Sequence, residues 1–125
     1  MSKKAYGIVI VSHIKELAEG LTHLLREAAK EVSITNAAGT DEGDVGTSFN
    51  QIHQAILENH ANEIYAFYDL GSAKMNLEIA IEMTDKKIHL MDTALVESAY
   101  TAAALIQADA PLKAIIEQLE PLKIK

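Results

Sequence analysis

The feature that most constrains this chain is the run Gly7-Ile-Val-Ile-Val-Ser-His13, four β-branched residues in succession that stop at a serine and a histidine. No polar residue alternates with them, so both faces of the strand must be covered, as in a parallel sheet with helices on each side. A second run of the same shape, Ile64-Tyr-Ala-Phe-Tyr68, ends at Asp69-Leu-Gly-Ser72. Two such strands deliver an imidazole and a carboxylate at matching ends, where the two side chains can meet.

The chain between and after these runs alternates strand-like and helix-like segments. From Ile14 to Lys30, Leu17, Leu21, Leu24, Leu25 and Ala28 recur at helical spacing opposite Lys15, Glu16, Glu19, Arg26 and Glu27, with Ser12 as the expected N-cap. Val32 to Ala38 reads as a weaker, edge-like strand. Gly39-Thr-Asp-Glu-Gly-Asp-Val-Gly46 is too rich in glycine and acid for either element and is expected to be a long loop. Thr47 or Ser48 can cap a helix whose face is Phe49, Ile52, Ile56 and Leu57. After the strand Ile64–Tyr68 come a helix from about Ser72 to Met83 and a short strand, Ile88 to Met91. An alanine-rich helix then runs from Ala94 to Gln107. The last helix carries Leu112, Ile115, Ile116 and Leu119, with Pro111 in its first turn.

Four strands, each followed by a helix, imply right-handed crossovers. The expected fold is α/β, an open doubly wound sheet of four parallel strands with the first strand central and helices on both faces. At 125 residues and 49% apolar content, one domain spanning 1–125 is expected. In such sheets ligands bind outside the carboxyl ends of the strands. His13, the Gly39–Gly46 loop, Asp69 with Gly71 and Ser72, and Asp92-Thr93 all follow strand ends, so all should line one rim.

Composition narrows the function. The absence of cysteine removes disulfides and thiolate metal sites, and no stretch approaches the length of a membrane span, which points to the cytoplasm and away from membranes. A formal net charge of −7 argues against nucleic acid as a partner. A carboxylate accepting from imidazole Nδ1 fixes the tautomer that leaves Nε2 free, and Asp69 could serve His13 in this way. A helix starting near Ser72 would turn its N–H groups toward the same place, and Gly71 would let an anion approach the backbone. Together these describe a histidine that carries phosphate. No Walker pattern and no Gly-x-Gly-x-x-Gly follows the first strand. Taken singly, His13 or Asp69 reads as a cap or loop residue. The acidic loop lacks metal-ligand spacing, so no metal is expected. His23, His53, His60 and His89 have no evident orienting partner and read as structural; Met75, Met83 and Met91 read as core filler.

Val11-Ser-His13, the loop from Gly39 to Ser48, Asp69-Leu-Gly-Ser-Ala-Lys-Met-Asn76 and Ala94-Leu-Val-Glu97 resemble the phosphocarrier subunits (DhaM) of phosphoenolpyruvate-dependent dihydroxyacetone kinases. These are similar to the mannose-type IIA domains of the sugar phosphotransferase system. The resemblance implies that His13 accepts phosphate from the histidine phosphocarrier HPr, that Asp69 orients it, and that Gly71, Ser72, Gly39 and Thr40 contact the phosphoryl group. It further implies transfer to ADP held on the kinase's nucleotide-binding subunit. This chain would then bind no cofactor, act as a phosphotransferase subunit in the cytoplasm, and form a homodimer. Ala38 and Ser98 stand where that pattern has glycine. The run after Asp69-Leu70 departs from the two glycines and proline of the mannose transporters. The alternatives are a IIA domain of a mannose-type transporter or a regulatory relative, and a non-catalytic interaction module.

Overall fold

A computed structural model describes residues 4–125; residues 1–3, which the expected domain includes, lie outside the described residues. In chain order the elements are β1 (Tyr6–Ser12), α1 (Lys15–Ala28), β2 (Ile34–Ala38), α2 (Phe49–Glu58) and β3 (Glu63–Tyr68). A 3-10 turn (Gly71–Ala73) then leads into α3 (Lys74–Glu82), β4 (Lys87–Met91), α4 (Leu95–Gln107) and α5 (Leu112–Leu119). The strands pair in the order β2-β1-β3-β4, all parallel, so β1 is internal as its unbroken apolar run requires.

Strand alternation sorts the core into two layers. Ile8, Ile10, Tyr65 and Phe67 point to one face and pack with Leu21 and Leu25 of α1, Ala99 and Ala103 of α4, and Ile115 of α5. Val9, Val11, Ile64, Ala66 and Tyr68 point to the other and meet Ile52 and Ile56 of α2 and Leu77 and Ala80 of α3. The alanines of α4 let that helix lie close to the sheet. Among the described residues no helix is long and apolar enough to cross a membrane.

Several local expectations change. Ser12 is the last residue of β1 rather than a helix cap; the N-cap position of α1 is Ile14, and Ser12 Oγ accepts the Ile14 N–H at 3.1 Å from just outside. The buried stripe of α1 is Ala18, Leu21, Thr22 and Leu25, while Leu17 and Leu24 stay 42% and 47% exposed. The apolar arc of this helix is wider than the arc its neighbours cover. For the same reason Leu57 on α2 faces solvent and Ala55 takes its place in the core. Met75 and Met83 are 71% and 64% exposed, so neither fills the core, whereas Met91 packs against it. Pro111 is the N-cap of α5, one residue before the first turn. Ser48 does cap α2, accepting the Gln51 N–H at 3.3 Å.

The ends of the strands opposite His13 are tied by a residue that periodicity does not single out. Asn59, 2% exposed, donates from Nδ2 to the carbonyls of Ile8 at 3.0 Å and Ser33 at 3.2 Å, and its Oδ1 accepts the Ala61 N–H at 3.0 Å. One amide thus joins β1, the entry to β2 and the entry to β3. Gly7 makes room for it, since a Cβ there would stand 2.2 Å from Asn59 Oδ1. Gly7→Ala must therefore displace a fully bonded buried amide. We expect a loss of about 2–3 kcal/mol in urea unfolding, in the range of overpacked cores. An unchanged midpoint would show that Asn59 can move aside freely.

Candidate functional site

β1 and β3 are neighbours in parallel register, with Val11 opposite Tyr68. The residues that follow, Ser12-His13 and Asp69, therefore leave the sheet side by side. The ladder continues one step further, Asp69 donating its N–H to the Val11 carbonyl at 3.1 Å. The Asp69 carboxylate then gathers both strand ends. Its Oδ2 accepts from Ser12 Oγ at 2.9 Å and from the His13 backbone N–H at 2.9 Å. Its Oδ1 lies 2.9 Å from His13 Nδ1 and accepts the Leu70 N–H at 2.7 Å.

Burial alone would push the Asp69 carboxyl up, but hydrogen bonds from the His13 backbone, the His13 ring, Ser12 and Leu70 outweigh it and hold it below the ordinary carboxylate value. An ionised carboxylate only accepts, so His13 Nδ1 carries the proton and Nε2 presents its lone pair. Ser72 Oγ stands 2.7 Å from that Nε2 and is the donor to it. Ser72 sits in the 3-10 turn that opens into α3, whose amide dipoles point the same way. The side chains of His13 and Asp69 are 15% and 11% exposed, so both are mostly covered and neither is sealed from solvent.

Asp69, Ser72 and His13 are thus brought together. Gly71 is exposed, and a Cβ there would meet open space, so nothing in the folded chain itself demands glycine at that position. Gly39 and Thr40 lie across the imidazole from Ser72, in the wall of a groove of about 290 Å³ that also includes Lys15, Glu16, Glu19, Asp41 and Asp44. Their backbone N–H groups are committed, Gly39 to the Ser12 carbonyl at 3.4 Å and Thr40 to the Asp44 carbonyl at 3.0 Å. The loop is closed by its own polar groups. Asp44 N–H bonds Thr40 Oγ1 at 3.1 Å, and Asp41 accepts from Ser48 and Asn50, which hold its carboxyl below the usual range.

Two residues have partners that the sequence reading did not give them. Ser12 locks Asp69 from behind; the signal available was a serine directly before the histidine. His89 does have a carboxylate partner, its Nε2 lying 2.7 Å from Glu63 Oε2 while its ring stacks on Tyr65 at 4.9 Å. That pair joins neighbouring strands near the end of the sheet remote from His13. Among the described residues no group of three histidine or acidic side chains is placed to hold a metal.

A family model described as EIIA-man, PTS system fructose IIA component, matches residues 7–116. The chain is 51% identical to a PTS-dependent dihydroxyacetone kinase, phosphotransferase subunit DhaM, from Lactococcus lactis, over 96% of this chain and 98% of that one. It is 46% identical to a PEP-dependent dihydroxyacetone kinase 1, phosphoryl donor subunit DhaM, from Listeria innocua, over 98% of both. An Escherichia coli phosphoryl donor subunit DhaM is 30% identical over 95% of this chain but only 27% of its own length. Among solved structures, a protein of unknown function superposes with a TM-score of 0.82 at 28% identity, over 100% of this chain and 98% of that one.

The depressed Asp69 pKa has a sign that can be checked. A carboxylate held below its unfolded value stabilises the fold fully above that value, about 3.9, and loses its contribution as pH falls through the lower native one. The urea midpoint should therefore fall more steeply with acidification below about pH 4 in the parent than in Asp69→Asn. Parallel curves would mean that the four hydrogen bonds confer no preference for the ionised form.

Proposed function

The chain belongs to the EIIA-man family, and from that premise we propose that it carries a phosphoryl group from HPr on His13 and gives it to ADP held on the nucleotide-binding subunit of a dihydroxyacetone kinase. Two relatives that match nearly end to end are described as phosphotransferase or phosphoryl donor subunits of such kinases. The observation that carries the reading is the imidazole itself, with Nδ1 committed to Asp69 and Nε2 offered at the rim.

The chemistry follows from that geometry. The Nε2 lone pair attacks phosphorus in line with the departing nitrogen of the donor histidine; one N–P bond forms as the other breaks. Positive charge develops on the ring as the bond forms. Asp69 faces the Nδ1 hydrogen and stabilises that charge, as an aspartate does for an imidazolium in a triad. The Ser72 hydroxyl, which donates to Nε2 in the free protein, is released and can donate to a phosphoryl oxygen. Gly71 beside it leaves the approach unobstructed. Gly39 and Thr40 have their amides engaged, so their part reduces to shaping the groove and, for Thr40, to its hydroxyl. In the second step an oxygen of the ADP β-phosphate attacks the same phosphorus, an O–P bond forming as the Nε2–P bond breaks, with the neutral imidazole as the leaving group.

Replacing His13 with Ala should abolish uptake of phosphate from phosphoenolpyruvate, the general kinase of the system and HPr, while the protein stays folded with a modestly lower urea midpoint, since one of the four donors to Asp69 is lost. Intact mass reads the outcome. One acid-labile phosphate on His13→Ala would put the carrier elsewhere.

A mannose-type transporter IIA domain is the second reading, favoured by the description of the family model. The two separate on the acceptor. Phosphorylated protein mixed with an ADP-loaded nucleotide-binding subunit should lose phosphohistidine and generate bound ATP; mixed with a mannose-type IIB domain it should stay phosphorylated. Transfer to the IIB domain with none to ADP would transfer the assignment to the transporter and leave the histidine chemistry standing.

A further inference from the structure

The far side of the site is built from a segment that carries no motif. Residues 122–125 fold back on the end of β4: the Ala94 N–H bonds the Leu122 carbonyl at 2.9 Å, Thr93 and Lys123 form an antiparallel bridge, and the N–H groups of Ile124 and Lys125 reach the Asp92 carbonyl at 3.1 and 3.3 Å. This clamp aims Lys125 back across the sheet toward β3. Its Nζ donates to the carbonyl of Tyr68, the residue immediately before Asp69, and stands 4.2 Å above the centroid of the Tyr68 ring. Burial disfavours the charged form of this ammonium and lowers its pKa from the ordinary lysine value, while the Asp69 and Asp92 carboxylates oppose that shift and favour the cation.

The surroundings are arranged around Asp92. Its Oδ1 accepts from the Tyr68 hydroxyl and pairs with Lys74 Nζ at 3.1 Å, and Lys123 adds to the same field. Burial opposes its ionisation, yet these partners hold its carboxyl below the ordinary value. Asp92 thus occupies Lys74, and Lys125 is left directed at the strand end that bears Asp69. On the opposite side of the imidazole the groove presents Glu16, Glu19, Asp41 and Asp44 against Lys15. His13 stands between an acidic wall and a lysine-rich one, on a chain whose net charge is −7.

A phosphoryl group on Nε2 brings about two negative charges to a ring that already faces an ionised Asp69. The amide dipoles of α3 offset roughly half a charge. We propose that Lys125 is a positioning residue of the phosphoryl site, its ammonium held behind Asp69 so that the charge arriving on His13 meets a fixed cation. It acts through the Tyr68 carbonyl and the field at Asp69 and does not itself touch the phosphorus. Its consequence is thermodynamic: it sets how the phosphoryl group divides between His13 and the donor. The inference rests on His13 being the phosphorylated residue.

The test uses the full chain, phosphorylated through HPr and then mixed with excess HPr, with intact mass giving the partition at equilibrium. Lys125→Met keeps an apolar stem over the Tyr68 ring and removes the charge; Lys125→Arg keeps the charge. The methionine variant should shift the partition toward HPr by about three- to tenfold at low salt, less at high salt, with the arginine variant near the parent. If the methionine variant lowers the urea midpoint and leaves the partition alone, Lys125 is a structural anchor and the proposal fails. An arginine variant that shifts the partition as far as methionine does overturns the charge argument as well. Parent protein that takes up no phosphate overturns the phosphocarrier reading, and this proposal with it.

Discussion

The structure turns on one carboxylate. Asp69 accepts four hydrogen bonds, from Ser12, from the backbone and ring of His13, and from Leu70. Three of the donors come from the end of β1 and the fourth from the start of the turn into α3. The parallel register between β1 and β3 makes this possible, because Val11 opposite Tyr68 puts Ser12 and Asp69 at the same height. A slip of one residue would turn every core side chain of β3 to the wrong layer and carry Asp69 away from the imidazole. The packing that fixes the fold therefore also fixes the geometry of the site. The site needs little stabilisation of its own beyond the carboxylate's bonds.

The loop from Gly39 to Ser48 shows where acidity is used for structure. Asp41 accepts from Ser48 and Asn50 at the start of α2, whereas Asp44 closes its turn through the backbone alone, its carbonyl accepting the Thr40 N–H and its N–H donating to Thr40 Oγ1. Gly39 adopts a positive φ of 79°, and a Cβ there would press on the Asp44 carbonyl at 3.0 Å, so the turn depends on that glycine. The amides of Gly39, Thr40, Gly43, Asp44 and Gly46 are already engaged and so are not free for an anion. Donation to His13 Nε2 falls to Ser72, on the side of the ring where the dipoles of α3 and the lysines lie.

Much of this was legible in the sequence. Unbroken apolar runs identified β1 and β3, the alternation of elements gave a parallel sheet with β1 inside it, and the strand-end position of His13 and Asp69 brought them together. What was not legible has a common cause: periodicity says which face of an element is apolar but not how far a neighbour covers it. Hence Leu17, Leu24, Leu57, Met75 and Met83, apolar by pattern, lie exposed. Long-range polar partners were hidden for a related reason. The clamp by Asn59, the His89–Glu63 pair and the return of Lys125 to Tyr68 join residues 26 to 57 positions apart. No local spacing encodes such contacts. Ser12 was seen and assigned to the wrong task, because a serine at a strand end before a helix is usually a cap.

A phosphoryl carrier must release what it binds, and the inventory of cations bears on that. Arg26 is the only arginine in the sequence, and its guanidinium is bonded to the Ile34 carbonyl at 2.8 Å on the outer strand, away from His13. The site therefore lacks the planar two-pronged donor that grips phosphate most tightly. What faces Nε2 is a neutral hydroxyl, and the lysine charge is held back on a carbonyl. A neutral donor loses less on exchanging phosphate for imidazole than a guanidinium would, so the bound and free states of the ring stay closer in free energy. Catalysis by such a site comes from holding the tautomer and the direction of attack rather than from binding the group strongly. That division of labour suits the proposed role, in which the phosphoryl group leaves for a second acceptor.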